Sequence, residues 1–525
     1  MLPLLILAIL FVSPVLLMLS NRLGVRYAYA WLYAVLLTAG GWAGMLWAAF
    51  QLPQQFELFF WRTETHPLFL KTPLALVLDE FSWPLAMGLA GLALGVLLTE
   101  VARDGLKARA DWRNLAGVVG LLSLGLAGVA AGNPLTLLLS WGAIDLLELF
   151  VLLRRVDGRR ESERVVVDFS ARTAGSLALM WVMISAAGLD FSPELGLTSS
   201  QAGIPLLLAA GLRLGVLPMQ VSFLQEPPLQ RGLGTMLRLT PAASSVMLLA
   251  RTASAGGGDG VGTTLFLALT GLAALYGSLN WLAASNELEG RMFWVLGAAA
   301  MVFASALRMQ PEAGIAWGGV LLLGGGQLSI FSARERPFAA WIVLSLLGIS
   351  GLPFSPSWEG TLLYAGAFQP LLALFLLAQG VLLAGFVRHA LRPGRPLQGV
   401  SRGVRAIYLM GMAALPFSHF VIGWRPWLRG ESLTGVWWPA AVALAVAAGV
   451  GVWLRWGPPV PPVIRMALLR AFSLHWLYRL AWRGYRMLGV LVSFLTALLE
   501  GEAGILWAIL LLILLLSIVT QGAGG

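Results

Sequence analysis

The chain has 525 residues, of which 58% are hydrophobic and only 11% are charged, and its mean hydropathy is +0.81. This composition excludes a soluble globular domain and indicates a multi-pass, all-α membrane protein. Because the sequence lacks cysteine and its four histidines are scattered, we expect no redox cofactor and no metal site. The arginine residues behind the net charge of +10 lie in short loops between apolar runs. We therefore expect a lipid bilayer and not nucleic acid as the partner.

Long apolar runs predict about 16 membrane spans, each of roughly 20 residues. The first run lacks a basic start and a small-residue cleavage site, so we interpret it as a span and not as a signal peptide. In the first half of the chain the predicted spans lie near 2–19, 28–51, 78–98, 114–131, 134–153, 165–187, 203–226 and 234–251. In the second half they lie near 262–284, 291–308, 314–331, 337–370, 370–386, 406–423, 434–454 and 504–519.

Two of these spans are predicted to be broken helices. Pro218 interrupts the seventh span, which carries Arg213 near its middle, and the segment GLPFSPSWEG at 351–360 interrupts the twelfth. Unsatisfied backbone groups cost several kcal/mol each in lipid, so such breaks occur only in protein-buried or water-lined positions. An ionisable residue inside a span is by default a candidate functional residue.

The two breaks fall at the fourth position of two successive five-span blocks, which is typical of an inverted repeat. The predicted organisation is three N-terminal spans (1–113), the first repeat (114–251), the inverted second repeat (252–387), spans fourteen and fifteen (388–455) and a C-terminal region (456–525). In that last region a proline-rich block precedes 463–499, whose basic amphipathic pattern predicts a lateral helix lying along the membrane surface.

Basic residues concentrate in alternate loops, namely 20–27, 99–113, 154–164 and 387–405, whereas loops 188–202 and 309–313 have none. The positive-inside rule places these basic loops in the cytoplasm. We therefore predict a cell-membrane protein with an external N-terminus.

Four segments of the chain resemble a known family, in matching order and spacing. They are NPLTLLLSWGAIDLL, AAGLRLGVLPMQVSFLQEPP, TPAASSVMLLAR and LLGISGLPFSPSWEG. The chain resembles the antiporter-like membrane subunits of respiratory complex I, of its hydrogenase relatives and of multisubunit cation/proton antiporters. The C-terminal helix and final span resemble the lateral helix of the longest such subunits. The resemblance implies proton or cation translocation within a larger complex, in which this chain is at most a non-catalytic subunit of an NADH:quinone oxidoreductase-like translocase.

The first repeat departs from the family pattern at three positions. The family has a glutamate after the tryptophan of span five, whereas Gly142 stands here, with Asp145 and Glu148 following at one-turn spacing. The family's lysine in span seven is replaced by Arg213, and the histidine after the break by Gln220. Arginine does not release its proton in proteins, and glutamine does not titrate, so the expected relay groups are missing.

The second repeat departs in the same sense. Where the resemblance predicts a lysine at its start, the segment NELEGRMF offers Glu289 and Arg291. Where it predicts a lysine after the twelfth-span break, Thr361 stands, with Glu359 nearby. Protons would therefore follow a path built on Asp145, Glu148 and water, or this chain does not conduct.

Several of these residues allow two interpretations. Arg213 is either the fixed cation of a functional charge pair or a structural group bonded to carbonyls freed at the break. We predict that Asp145, or failing it Glu148, contacts Arg213 directly or through one water. Glu148 either joins a path or extends to the interface and pairs with Arg154 or Arg155, and the pattern favours the latter.

Further charges lie on neighbouring spans. Asp168 and Arg172 are spaced as an i,i+4 pair, which predicts a local salt bridge near the interface. Arg238 faces either the cavity expected at the first helix break or the membrane surface. Asp79 and Glu80 are predicted to cap a helix at the outer interface.

The leading hypothesis is a membrane subunit of a redox-driven proton pump or cation/proton antiporter, with other membrane subunits as partners. The alternative is a non-conducting paralogue that holds partner subunits together. The ion-translocation candidates are Asp145, Glu148, Arg213, Gln220, Arg238, Glu289, Arg291 and Glu359.

Overall fold

The computed structural model describes residues 2–59, 73–104, 112–156, 158–186, 200–217, 219, 231–256, 261–333, 335–367, 369–394, 397, 399–457 and eight positions between 483 and 494. The chain divides into two compact units, Met1–Gly457 and Pro458–Gly525. The eight described positions of the second unit are helical. The rest of the predicted lateral helix and the predicted span 504–519 lie outside the described residues.

Helices dominate the first unit, as the long apolar runs predict. Those of its first part are α1 (Leu2–Arg22), α2 (Tyr27–Ala48), α3 (Ser82–Asp104), α4 (Trp112–Val129), α5 (Pro134–Leu153), α6 (Arg159–Ala186), α7 (Ser200–Leu214) and α8 (Arg231–Gly256). Those of its second part are α9 (Val261–Ala283), α10 (Glu287–Leu307), α11 (Pro311–Gly319), α12 (Gly325–Ile330), α13 (Arg336–Ile349), α14 (Leu372–Ala390), α15 (Arg402–Leu428) and α16 (Trp437–Trp456).

Within the described part, 13 helical segments are long and apolar enough to cross a membrane, and α7 and α13 contribute two shorter apolar helices. One crossing segment, Pro311–Ile330, combines α11 and α12 through a π-helical turn at Val320–Gly324. The helices α3 and α8 are buried along nearly their whole length, whereas α1, α6 and α16 expose large apolar side chains. The core therefore lies around α3 and α8.

One element of the first unit is not helical. Strands β1 (Gln54–Phe59) and β2 (Leu74–Leu78) pair antiparallel, with Phe56 opposite Leu76, inside a segment that the sequence analysis treats as a loop. The hairpin is held against the α4–α5 connection, because the Val77 amide donates to the Ala130 carbonyl at 2.6 Å. The predicted helical membrane fold is confirmed, and this hairpin is an addition that the sequence analysis did not predict.

The break after α7 lies earlier than predicted. The helix ends at Leu214, and Gly215 has a positive φ of 70°, a conformation that glycine adopts readily at helix ends. Gly215, and not Pro218, therefore terminates the helix. Pro218, Gln220 and the predicted second piece lie outside the described residues, apart from Met219.

The second break lies where the sequence predicts it. The helix α13 ends at Ile349, and a short 3₁₀ helix, Trp358–Tyr364, follows before α14 begins at Leu372. Gly351 and Phe354 both adopt positive φ in this connection. Whether the two blocks that contain these breaks are related as an inverted repeat stays a prediction.

Candidate functional site

The centre of the candidate site is an ion pair between α5 and α7. Arg213 donates from Nη1 to Asp145 Oδ2 at 2.6 Å and from Nη2 to Asp145 Oδ1 at 2.8 Å. Both side chains are almost fully buried, at 1% and 3% exposure. The bond predicted between Asp145 and Arg213 is therefore present, as a bidentate pair, which is the strongest geometry for these two groups.

Neighbouring helices hold Arg213 in place. Its Nη1 also donates to Ser176 Oγ of α6 at 3.0 Å, and its guanidinium lies 4.4 Å from the ring centroid of Trp141. Trp141 is itself fixed by a 2.9 Å bond from Nε1 to Ser244 Oγ of α8. A Cβ at Gly175 would lie 2.5 Å from Arg213 Cγ, so only glycine allows α6 to pass this close. Four helices therefore position one guanidinium.

A second group of charges lies on the same helices, around Glu148. Arg172 of α6 forms a two-bond contact with Glu148, with 2.7 Å between Nη2 and Oε1, and also contacts Asp168 Oδ2 at 3.1 Å. Arg238 of α8 lies 3.4 Å from Asp168 Oδ2 and 3.7 Å from Glu148 Oε1. We call these four residues, together with Asp145 and Arg213, the charge network.

This arrangement corrects three interpretations from the sequence. Glu148 does not pair with the interfacial arginines; its side chain is 3% exposed and contacts Arg172 and Arg238. Asp168 and Arg172 form the predicted i,i+4 pair, but both belong to the buried network. Arg238 is buried against these carboxylates and does not extend to the membrane surface. Sequence spacing alone missed Asp168 and Arg172 as site residues.

The charge network is balanced, with three carboxylates facing three guanidinium groups. Isolated buried charges are costly in a membrane, and pairing each charge with an opposite one reduces that cost. A cavity of ≈ 10 Å³ lies between Asp145, Glu148, Asp168 and Arg172, which is space for about one water molecule.

The remaining predicted residues lie apart from the charge network. Arg291 of α10 is 1% exposed and donates to Thr235 Oγ1 at 2.9 Å. Glu289 is exposed in the first turn of α10, where it bonds to the Asn286 side chain at the helix start. Glu287, which the sequence analysis did not single out, forms a 2.7 Å ion pair with Arg231 of α8.

Glu359 lies in the connection between α13 and α14, outside the spanning helices. Burial raises its pKa from 4.5 to about 7, with a further contribution from the negative charges of Glu312 and Glu431. Glu359 can therefore change protonation state near neutral pH.

Several neutral polar side chains are buried between the helices of the second part. Gln327 donates to the Met412 carbonyl at 3.1 Å, and Gln379 accepts from the Tyr364 hydroxyl at 3.0 Å. His419 is 2% exposed on α15, beside Gly319 and Gly348. A single polar residue in an apolar run was the available signal for these positions. Among the described residues, no cluster of side chains has a metal-binding arrangement.

Asp79 occupies the start of α3, as predicted. Its Oδ1 accepts from the Ser82 amide at 2.9 Å, which caps the helix, and its Oδ2 lies 2.9 Å from Arg251 Nη2 of α8. The Asp79–Arg251 ion pair does not include any residue of the charge network, so a variant of it can serve as a control.

Neither a protein-family model nor a curated protein matches the sequence. Solved structures do match the fold. A chain of the Mrp complex from a Dietzia species superposes with a TM-score of 0.72 at 17% identity, over 100% of this chain and 63% of that one. The chain thus spans less than two thirds of that relative.

Two further structures match over almost their whole length. A chain of the membrane-bound sulfane sulfur reductase, an archaeal respiratory membrane complex, gives a TM-score of 0.67 at 15% identity, covering 98% of this chain and 99% of that chain. A chain of respiratory complex I from Thermus thermophilus gives 0.59 at 18% identity, covering 84% and 99%. The chain is therefore a multi-pass membrane protein with the fold of the antiporter-like membrane subunits in such complexes.

Proposed function

We propose that the chain is a membrane subunit of a larger assembly that moves protons or monovalent cations, either a redox-driven pump or a cation/proton antiporter. Its partners would be other membrane subunits, and we place it in the cell membrane with its N-terminus outside. The fold neighbours come from complexes of this kind, and the alternating basic loops support the orientation.

The observation that carries this proposal is the charge network itself. Six ionisable side chains inside a membrane bundle are costly unless they are paired, and charged residues at such depth commonly mark ion paths. Their placement on α5, α6, α7 and α8 beside the first helix break is where a translocation path is expected in folds of this type.

The geometry also allows the network to rearrange. Arg238 lies within 4 Å of both Asp168 and Glu148, and Arg172 contacts the same two carboxylates. One carboxylate can therefore change partner without leaving a guanidinium unpaired. Such an exchange would let Glu148 take up and release a proton through the adjoining water-sized cavity.

One observation favours the alternative of a non-conducting scaffold. Every cation of the charge network is arginine, and its two best-formed contacts, Arg213 with Asp145 and Arg172 with Glu148, are two-bond pairs. A network of this kind can stabilise the helix bundle without moving protons.

The first test addresses membership of an assembly. The tagged full-length chain is purified from its native membrane in mild detergent, and co-purifying membrane proteins are identified. We expect a stoichiometric set of membrane subunits. Recovery of the chain alone, under conditions that preserve other membrane complexes, would contradict the proposal.

The second test separates conduction from scaffolding. The purified assembly is reconstituted into liposomes containing a pH-sensitive dye, and proton entry is driven by a potassium gradient with valinomycin. The variant Asp145→Asn/Glu148→Gln should conduct much more slowly than wild type, whereas Asp79→Asn, which disturbs an ion pair elsewhere, should not. Equal fluxes in all three proteins would favour the scaffold.

A further inference from the structure

A large groove lies on the outside of the bundle between α1, α4 and α5. Its volume is ≈ 750 Å³, and its walls are mostly apolar. Val15 and Phe150 at its edges are exposed by 68% and 56%, so the groove opens sideways from the bundle. A space of this size is within the range that encloses most of a small organic ligand.

Basic side chains border one end of this groove. Arg113 at the start of α4 and Arg154 just after α5 are both exposed, and Arg155 completes the group. The Arg154 guanidinium lies 4.2 Å from the Phe150 ring centroid, and Arg155 donates to the Asn114 side chain. These contacts keep the guanidinium groups of Arg154 and Arg155 at the groove rim.

The dimensions of the groove match one leaflet of a bilayer. Its lining on α4 extends from Arg113 to Leu124, and eleven residues of helix span ~17 Å at 1.5 Å per residue. This length is about half of the ~30 Å hydrocarbon core. The apolar part therefore extends from the basic rim to about the bilayer midplane, as an acyl chain does.

We propose that this groove is a binding site for an anionic phospholipid of the leaflet that faces the basic loops. The phosphate lies against the arginine rim, and an acyl chain fills the apolar wall. Basic pockets between membrane helices on the cytoplasmic side are suited to such head groups. The arginine side chains neutralise the negative charge of the phosphate, while the acyl chains stay in the apolar part of the bilayer. This site is independent of the charge network and of ion translocation.

The floor of the groove includes a glycine whose replacement would block it. A Cβ built at Gly120 lies 3.6 Å from both Leu147 and Pro14, which are ordinary contact distances. Alanine is therefore tolerated there, whereas a leucine side chain extends into the acyl position. Gly120→Leu and Gly120→Ala form a matched pair for testing the groove.

The head-group part of the test uses native mass spectrometry of the full-length protein with equal amounts of palmitoyl-oleoyl phosphatidylglycerol and phosphatidylcholine. We expect wild type to retain phosphatidylglycerol preferentially. Arg113→Gln/Arg154→Gln should weaken that binding by roughly 30-fold. The control Arg164→Gln/Arg402→Gln removes two exposed arginines elsewhere and should leave it unchanged. Equal retention of the two lipids by wild type, or equal losses in both variants, would overturn the proposal.

The acyl part of the test uses the glycine pair. Gly120→Leu should lower retention of both lipids, and Gly120→Ala should not; if the leucine variant fails to fold, Val15→Trp narrows the same groove from its exposed edge. The chain has no native cysteine, so Val15→Cys can also be cross-linked in native membranes. Cross-linking of this cysteine to another membrane protein would show that a subunit, and not lipid, occupies the groove.

Discussion

The replacement Arg213→Leu removes the partner of a buried carboxylate. Asp145 is 3% exposed and receives both of its strong bonds from this guanidinium. Removing one member of a buried ion pair costs about 3–5 kcal/mol. The lost contacts to Ser176 and Trp141 add about 1–2 kcal/mol more. The variant should therefore lose a large part of its unfolding free energy.

The double variant Asp145→Leu/Arg213→Leu distinguishes this cause from general damage to packing. With both charges removed, no carboxylate is left unpaired, so only the contacts to Ser176 and Trp141 are lost. We expect a residual loss of about 1–2 kcal/mol relative to wild type. The double variant should thus be more stable than Arg213→Leu but should not regain ion transport.

The assay is unfolding in mixed detergent micelles with increasing dodecyl sulfate, followed by tryptophan fluorescence, for wild type, both single variants and the double variant. The coupling energy from this cycle should be about 3 kcal/mol or more. If Arg213→Leu were as stable as wild type, or if the two single losses simply added, the buried pair would not be what holds these helices together.

Three further predictions concern other parts of the chain. A cysteine at Gly394, in a predicted cytoplasmic loop, should react with membrane-impermeant maleimide only in inverted vesicles, and labelling of intact cells would refute the external N-terminus. Deletion of 463–499 should release partner subunits during purification while leaving the fold of the first unit intact, as judged by its unfolding transition; unchanged co-purification would contradict a lateral helix that binds partners. Glu359→Gln should stabilise the protein at pH 8 but hardly at all at pH 4, because the raised pKa means that ionisation of Glu359 opposes folding only as the pH rises above about 4.5. An equal change in midpoint at both pH values would show that Glu359 does not titrate in this range.

The positions of the helices follow from the sequence because apolar run length is a local property. A membrane span needs about 20 apolar residues whatever surrounds it, so the runs at 134–153 and 370–386 predict α5 and α14 without knowledge of their neighbours. The two strands of the hairpin were missed for the opposite reason. Each is five or six residues long, and their pairing joins segments separated by 14 residues of intervening chain.

The Asp145–Arg213 pair could be predicted because depth and charge together limit the choices, and because the resemblance implies a span-five carboxylate that faces the span-seven cation. Both residues lie deep in their spans, and a lone charge at such a depth needs a partner. The partner of Glu148 could not be predicted in this way. Arg154 and Arg155 are near Glu148 in sequence, whereas Arg172 and Arg238 approach it only through the rotation and packing of α6 and α8.

The sequence by itself determined the membrane class, the order of the helices, the second break and one central ion pair, because each depends on local composition or on the cost of burying a charge. Tertiary structure decided that six charges form one neutral network, that the first break lies at Gly215, and that α1, α4 and α5 leave a groove with a basic rim. These features depend on which faces of separate helices meet, and side-chain direction around a helix axis is set by packing against neighbours and not by spacing along the chain.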